Sequence, residues 1–335
     1  MDVNDVLAQL NPSLRKRVTM GNEIPATEFA LTPSYGMNKA LCGGLPYGRQ
    51  VLVWGNKSSG KSSWCLQLIA LAQKQGKVCA WIDAEMSFSP SWAERLGVDT
   101  SKLIVSDTRT INGMVDVGID FINAGVDIVV VDSISALLPA VYFDKKTDDL
   151  KQLEGTKQIG AESQDFSHAW KMINYANNKV KPTLFVIISQ ARNNIGAMYT
   201  SVIPQGGNAT KFYSSTIIKL FSSESDAQAI KGKIAVGDKL IEEKIGRKVT
   251  WTVQFSKLSP GFDSGEYNFY FRGPFVGMDS IDDLVQTATQ MGFVDKSGAW
   301  YKYGGKNYQG LDNLSDAVKA DESLKTGLIE KVMNA

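Results

Sequence analysis

The sequence is short of cysteine, of long apolar runs and of any excess charge, and each shortage removes a class of protein. Its three cysteines, Cys42, Cys65 and Cys79, form no CxxC pair and are too few for a disulfide framework, so a reducing compartment is expected. No segment approaches the roughly 18 consecutive apolar residues that a membrane span needs. The first residues carry acids instead of the apolar run of a secretory signal, and we therefore expect a cytoplasmic protein with no membrane partner.

The charges nearly cancel. Lys and Arg together number 36 and Asp and Glu 35, which gives a formal net charge of +1. Binding to a polyanion would therefore depend on local clusters of basic residues and not on the overall field. With 335 residues, of which 43% are hydrophobic, the chain is long enough for one large core and small satellite domains.

Hydrophobic patterning divides the chain into three segments. Residues 1–30 form a predicted helical appendage, with apolar residues at helical spacing from Val3 to Leu14. The pattern is equally compatible with packing on its own domain and on a neighbouring subunit. Residues 31–273 are predicted to form an α/β core, and residues 274–335 a small α+β C-terminal domain.

Short β-branched runs between helical stretches predict a mostly parallel central sheet in the core. The predicted strands are Gln50–Trp54, Val78–Ile82, Leu103–Ser106, Ile128–Val131, Leu184–Ile188, Ser215–Phe221 and Val249–Phe255. Two irregular stretches, Tyr142–Glu162 and Arg192–Lys211, interrupt this pattern and are expected to be functional loops.

In the C-terminal segment, helical spacing appears over Ile281–Ala288 and again over Leu311–Asn334. Between them, Gly298–Tyr303 and the glycines that follow predict a hairpin.

A phosphate-binding loop is the most specific motif in the chain. Its GxxxxGK[ST] pattern lies between a predicted strand and a predicted helix, which is the context that the motif requires. Glycines let backbone N–H groups point at phosphate oxygens, and the following helix adds its positive dipole end. Lys61 is predicted to bridge the β- and γ-phosphates, and the Ser62 hydroxyl to ligate Mg²⁺. The predicted nucleotide-binding residues are Gly55, Asn56, Lys57, Ser58, Ser59, Gly60, Lys61, Ser62 and Ser63.

Polar residues that end other predicted strands complete the site. Asp132 follows Ile128–Val131 and is predicted to help hold Mg²⁺. Glu85 follows another strand and can act as general base on the attacking water, with Asp83 as its rival. Gln190 ends a further strand and can contact the γ-phosphate, although a plain polar strand end is equally compatible with the pattern.

Several motifs, in order, resemble the RecA recombinases from about residue 31 to the end of the chain. They are Gly43–Arg49, Gly55–Ser62, Trp81–Glu85, Arg95–Asp99, Val131–Ser133, Ala136–Pro139, Gly206–Tyr213 and Gly298–Tyr303. The resemblance implies a Mg²⁺-dependent ATPase that assembles as a helical homo-oligomer on single-stranded DNA. It also implies pairing with double-stranded DNA, strand exchange, and single-strand-binding or loader proteins as further partners.

The resemblance assigns roles within the nucleotide site. It makes Glu85 the catalytic base and Gln190 the γ-phosphate sensor, with Lys61 as the third catalytic residue. The pattern alone favours Trp92 as a core residue, but the residue stands where the family usually stacks a tyrosine on adenine, and an aromatic indole suits the same task. Lys257 matches one of two family lysines that reach the ATP of a neighbouring subunit, while Phe255 stands at the position of the other. The N-terminal helix is implied to pack on the neighbouring protomer.

The two irregular stretches match the family's DNA-binding loops, near residues 139–163 and 192–211. In the second loop, Ile195 matches the apolar side chain that enters between base triplets. Gly206, Gly207 and Asn208 match the family segment that contacts the DNA backbone, where absent side chains let N–H groups approach phosphates closely. The implied DNA-binding residues of this loop are Arg192, Ile195, Gly206, Gly207 and Asn208.

The sequence also departs from the family pattern. Asn193 and Asn194 replace more basic residues after Arg192, which weakens phosphate attraction there. The first loop is longer than usual, and its lysines Lys145, Lys146 and Lys151 are compatible either with DNA contact or with a solvated mixed-charge loop. These departures resemble phage-encoded members such as the UvsX group as much as cellular members.

Two other functions fit the phosphate-binding loop less well. A hexameric ring helicase needs neither the Gly206–Tyr213 segment nor the C-terminal domain. A P-loop kinase of small molecules would need an arginine-rich lid, and no such segment follows the core.

Overall fold

The computed structural model describes residues 2–143, 150–151, 160–177, 180–193, 202–223, 225–236 and 239–334. The helices are α1 (Val3–Gln9), α2 (Pro12–Arg15), α3 (Tyr35–Ala40), α4 (Lys61–Lys74), α5 (Pro90–Arg95), α6 (Ile111–Asn123), α7 (Ala161–Ala176), α8 (Gly207–Tyr213), α9 (Ser280–Gln290), α10 (Leu311–Ala320) and α11 (Glu322–Met333). The strands are β1 (Phe29–Ala30), β2 (Leu45–Pro46), β3 (Gln50–Gly55), β4 (Cys79–Asp83), β5 (Leu103–Ser106), β6 (Ile128–Asp132), β7 (Leu184–Asn193), β8 (Val202–Pro204), β9 (Thr216–Phe221), β10 (Ala229–Val236), β11 (Lys239–Ser256), β12 (Asp263–Tyr270), β13 (Gly277–Met278), β14 (Asp295–Ser297), β15 (Trp300–Tyr303) and β16 (Lys306–Gln309).

The central sheet is mostly parallel, as predicted. Its strands lie in the order β13-β12-β11-β9-β3-β7-β6-β4-β5, and every pair from β9 to β5 is parallel. Later strands lie on both sides of β3 in the sheet, with β9 on one side and β7 on the other. This arrangement is typical of sheets that have helices on both faces. The predicted α/β fold class is therefore confirmed.

Each central strand divides its side chains between two apolar cores. In β3, Val51 and Val53 enter one core, while Leu52 and Trp54 enter the other. The same alternation occurs in β6 and in the first part of β7, Leu184–Ile188, where the side chains are buried on both faces. This double burial explains why these strands read as continuous apolar runs.

An antiparallel extension, formed by β11, β12 and β13, continues the sheet beyond β9. The apolar pattern predicts only Val249–Phe255, whereas β11 runs from Lys239 to Ser256 and forms a hairpin with β10. Both β10 and β12 lie outside the predicted strands. These segments are rich in charged and small residues, so they lack the apolar run that marks a buried strand.

The second irregular stretch is more regular than predicted. Strand β7 continues to Asn193 and pairs with β8, and α8 begins at Gly207. Gly206 precedes this helix with a φ of +88°, a conformation that glycine adopts without strain. Of the first stretch, the structure describes only the segments up to Phe143, Leu150 with Lys151, and the residues from Gly160 onward.

The N-terminal appendage consists of two short helices where the pattern predicts one. Leu10 leaves the helical conformation, and Pro12 begins α2 at a position where its missing N–H costs nothing. No residue of α1 is buried against the rest of the chain. Packing on a neighbouring protomer remains a prediction.

Among the described residues, no helix is long and apolar enough to cross a membrane.

The C-terminal unit has its own apolar core, built from α9, α10, α11 and the β14-β15-β16 sheet. The predicted helical stretch Leu311–Asn334 is divided into α10 and α11 at Asp321, whose side chain caps α11.

A buried carboxylate joins this unit to the core. Asp283 of α9 accepts hydrogen bonds from Ser34 Oγ at 3.0 Å and from the backbone N–H groups of Tyr35 at 2.5 Å and Gly36 at 3.2 Å. Burial raises the pKa of Asp283 to about 7, and these donors oppose the shift.

Replacing Asp283 with alanine is expected to destabilise the protein by roughly 2–4 kcal/mol, because it leaves several buried donors without an acceptor. Urea unfolding followed by far-UV circular dichroism measures the change. The control is Asp295→Ala, since Asp295 is exposed in the same unit. A loss of less than about 0.5 kcal/mol at Asp283 would show that this contact does not hold the unit in place.

Candidate nucleotide-binding site

The register of the parallel strands brings the polar strand ends to one edge of the sheet. Gly55 of β3 pairs with Gln190 of β7, and Asp83 of β4 pairs with Asp132 of β6. Because parallel strands all end at the same edge, the loops that follow them surround one opening. The predicted phosphate, metal and catalytic residues therefore meet in one place.

The phosphate-binding loop is fixed on the side of β9. A Cβ atom on Gly55 would lie 1.7 Å from the carbonyl oxygen of Leu220, so only glycine fits between the two strands. The Asn56 side chain donates to the carbonyl of Ser222 at 2.7 Å and accepts from its N–H at 3.2 Å. Gly60 has a φ of +84° immediately before α4, which lets the loop turn into the helix.

Lys61 begins α4, and its side chain is buried. Its amino group donates to the carbonyl oxygens of Gly55 at 3.3 Å and Asn56 at 2.9 Å. Burial lowers the pKa of Lys61, while the carboxylates of Asp132 and Glu85 oppose this shift. The cation therefore lies inside the loop, beside the position that a phosphate would take.

Asp132 and Ser62 lie within hydrogen-bond distance of each other beside the phosphate-binding loop. Burial raises the pKa of Asp132 to about 6, and a hydrogen bond from the Ser62 side chain opposes that rise. Hydroxyl and carboxylate oxygens are ligands that Mg²⁺ prefers in proteins. This pair, next to the phosphate-binding loop, has the oxygen ligands that would hold a magnesium ion.

The structure separates the two carboxylates of the β4 segment. Asp83 is buried, and its oxygens accept from the N–H groups of Ser87 and Phe88 at 3.1 and 2.9 Å, so it anchors the following turn. Glu85 is exposed at the opening, and its Oε1 accepts from Ser133 Oγ at 2.5 Å. The phosphate-binding loop and the strand ends enclose a cavity, and of the two carboxylates only Glu85 lines it.

Gln190 connects Glu85 to the segment that leads to Gly206. Its Nε2 donates to Glu85 Oε1 at 2.8 Å, and its backbone N–H donates to Ser135 Oγ at 3.0 Å. Its carbonyl accepts from the N–H of Gln205 at 3.1 Å. The neighbouring Gly206 leaves no room for a side chain, because a Cβ atom there would lie 2.6 Å from Ile134 Cδ1.

Two further predicted nucleotide-site residues lie outside this cavity. Trp92 is partly buried against the first core, and its Nε1 donates to Ser63 Oγ at 3.1 Å. The Arg95 guanidinium carbon lies 5.4 Å from the centre of the same ring. Lys257 is exposed and does not line the cavity of its own chain, so its predicted contact with a neighbouring nucleotide stays a prediction.

The predicted DNA-binding residues are only partly within the described structure. Arg192 is exposed in β7, opposite Ile203 of β8, and Asn208 is exposed in α8. Gly207 begins α8 with a φ of +74°. Lys151 is exposed, and its Nζ donates to the Val141 carbonyl at 3.0 Å. Three of the predicted residues lie outside the described residues: Lys145, Lys146 and Ile195.

One wall of the cavity is formed by residues of the antiparallel extension. The sequence does not predict these residues as part of the site. The cavity has a volume of about 390 Å³. Besides the phosphate-binding loop, Glu85, Asp132 and Gln190, it is lined by Arg247, Val249, Phe269 and Phe271. These residues belong to no nucleotide motif, and strand pairing alone brings them to the loop. The one local signal is an arginine in a strand that leads to the apolar run beginning at Val249.

A phosphate-binding loop at the carboxyl edge of a mostly parallel sheet, with strand-end carboxylates beside it, defines a P-loop NTPase. Residues 6–273 match the RecA N-terminal domain and residues 282–335 the RecA C-terminal domain. The chain belongs to the RecA family and is a DNA-dependent ATPase that acts as a recombinase in DNA repair.

Similar proteins cover nearly the whole chain. Protein RecA of Marinobacter nauticus is 37% identical over 313 residues, which span 92% of this chain and 83% of that protein. Protein RecA of Laribacter hongkongensis is 34% identical, over 91% of this chain and 80% of its own length. A crystal structure of the RadB recombinase aligns with 70% of this chain and 93% of its own, at 16% identity and a TM-score of 0.48.

Replacing Glu85 with glutamine is expected to slow ATP hydrolysis by about 100-fold or more, because the amide cannot accept a proton from water. ATP binding should change by less than about threefold, since glutamine keeps the shape of the side chain. Single-turnover hydrolysis and equilibrium nucleotide titration separate the two effects. Glu94→Gln, at an exposed position of α5, is the matched control. Unchanged hydrolysis in Glu85→Gln would remove Glu85 as the base.

Proposed function

We propose that the protein assembles into helical filaments on single-stranded DNA in the presence of ATP and Mg²⁺ and, in that form, pairs and exchanges strands with double-stranded DNA. The observation that carries this proposal is the connection between the cavity and the DNA segment. Gln190 donates to Glu85, and the carbonyl of Gln190 accepts from Gln205, which directly precedes Gly206. A change at the γ-phosphate would thus reach the DNA-binding segment through one side chain and one strand.

In this proposal the phosphate-binding loop and Lys61 bind the triphosphate. The Lys61 amino group exchanges the carbonyls of Gly55 and Asn56 for phosphate oxygens, which offer a charge-assisted hydrogen bond. Ser62 and Asp132 hold Mg²⁺, which when bound neutralises charge that develops on the phosphates. The preference for ATP over other triphosphates belongs to the proposal, with Trp92 as the aromatic contact for the base.

The proposed hydrolytic step depends on the orientation of Glu85. Ser133 and Gln190 both donate to its Oε1, which fixes the carboxylate and leaves Oε2 for a water molecule. Glu85 then accepts the proton as the oxygen of that water attacks the γ-phosphorus, and the bond from this phosphorus to the β–γ bridging oxygen breaks, with ADP as the leaving group. When a γ-phosphate is present, Gln190 can donate to it instead of to Glu85, while Ser133 keeps the carboxylate in place, and this exchange is the proposed switch.

The proposed DNA contacts lie beyond this switch. Gly206 and Gly207 both have positive φ values at the start of α8, and Asn208 follows them on the exposed surface. Backbone N–H groups of residues that have no side chain of their own can approach DNA phosphates closely, while Arg192 adds a cation on β7. Ile195 would contact the bases, and contacts of these kinds are largely independent of sequence. Lys257 and the N-terminal helices would contact the neighbouring protomer, and single-strand-binding or loader proteins are further proposed partners.

The ATPase rate is expected to rise severalfold when single-stranded DNA is added, because DNA bound at the Gly206 segment would favour the arrangement of Gln190 and Glu85 in which ATP is hydrolysed. A coupled ATPase assay measures the rate, and Lys61→Ala is the control for a contaminating ATPase. Electron microscopy with a slowly hydrolysed ATP analogue should show helical filaments on the DNA. Closed rings, or a rate that does not respond to DNA, would contradict the proposal.

Replacing Lys145, Lys146 and Lys151 together with alanine is expected to weaken binding to single-stranded DNA. If all three contact phosphates, the slope of log affinity against log salt should fall by about 2, since each contact contributes roughly 0.7. Fluorescence anisotropy at several salt concentrations measures the slope. The control replaces Lys102, Lys244 and Lys325, each of which forms an ion pair elsewhere on the surface. If the variant and the parent protein show the same affinity and the same salt slope, these lysines do not contact DNA and belong to a solvated mixed-charge loop.

A further inference from the structure

Arg247 reaches the phosphate-binding loop from a strand that contains none of the nucleotide motifs. It lies in β11, where it pairs with Phe269 of β12. Its side chain lines the cavity, and Nη1 donates to the carbonyl oxygen of Ser58 at 3.3 Å. A cation from the antiparallel extension thus contacts the phosphate-binding loop of the same chain.

The guanidinium of Arg247 is held in place without being neutralised. Its central carbon lies 5.5 Å from the centre of the Phe271 ring, within cation–π range. In the part of the chain that the structure describes, no carboxylate pairs with it, and the Ser58 carbonyl is the one hydrogen-bond acceptor that it contacts. A guanidinium carries five N–H donors, so most of them are available to an acceptor that enters the cavity.

We infer that Arg247 is a nucleotide-binding residue, whose guanidinium donates to the phosphate chain of the bound nucleoside triphosphate. The inference rests on the proposed function, since it takes the cavity as the triphosphate site. Lys61 and the loop amides approach the phosphates from α4, whereas Arg247 approaches from β11. When the triphosphate enters, Arg247 exchanges the neutral carbonyl of Ser58 for an anionic oxygen, and this bond is stronger.

The chemistry of the side chain favours arginine over lysine here. A planar guanidinium can lie against Phe271 and still donate two parallel bonds to a phosphate. A lysine at this position would keep the charge but lose both the stacking geometry and the second bond. The phosphate chain, and not the base, is the expected acceptor, because the contact with Ser58 places the guanidinium at the phosphate-binding loop.

The test measures displacement of a fluorescent ATP analogue from the full-length protein by ATP and by inorganic tripolyphosphate, which has no base. Arg247→Ala should weaken both competitors by about 10-fold or more, and Arg247→Lys by less. The matched control is Arg272→Ala, an arginine near the end of β12 that pairs with Glu243 and does not line the cavity. It should bind both competitors within about twofold of the parent protein.

The binding data distinguish failure of the inference about Arg247 from failure of the proposed function. If Arg247→Ala binds tripolyphosphate as tightly as the parent protein, the inference is wrong, even if ATP affinity falls. If alanine and lysine variants lose affinity equally and the nucleotide-free protein also unfolds at a lower temperature, Arg247 only supports the loop and the inference is again wrong. If neither competitor binds the parent protein more tightly than Lys61→Ala, the proposed function itself fails.

Discussion

The register of four parallel strands is the constraint on which the site depends. It sets Gly55 beside Gln190 and Asp83 beside Asp132, so the loops after β3, β7, β6 and β4 open on one edge. A slip of one residue would turn every side chain of a strand to the opposite face and move its apolar residues between the two cores. Core packing therefore fixes the geometry of the site, and the Glu85–Gln190 hydrogen bond exists only in this register.

The parts of the molecule that could be predicted are those with a local signal. Ile128–Val131 and Leu184–Ile188 are continuous apolar runs, and the structure buries them on both faces. The phosphate-binding loop is recognisable because its glycines, lysine and serine stand at fixed spacing between a strand and a helix. The rule that parallel strands end at one edge predicts that Asp132, Gln190 and the Asp83–Glu85 segment lie close together. Their convergence is observed, while their catalytic and metal-binding roles remain proposals.

The rest depends on contacts between residues far apart in the sequence. β10, β12 and most of β11 lack apolar runs, because their stability comes from antiparallel pairing and not from burial on both faces. Arg247 and Phe271 enter the cavity only through that pairing. The choice between Asp83 and Glu85 likewise required the turn in which Asp83 accepts two backbone N–H groups. Neither result could be read from spacing along one segment.

The two carbonyls that hold Lys61 make the loop its own competitor. The Lys61 amino group donates to the oxygens of Gly55 and Asn56, so a phosphate that takes these two donors replaces two neutral acceptors. The free energy gained from the lysine is then the difference between charge-assisted bonds to phosphate and the bonds to the loop, and not the full strength of the new bonds. The same carbonyls can accept from the lysine again when a product leaves, so the ammonium has acceptors before and after the exchange.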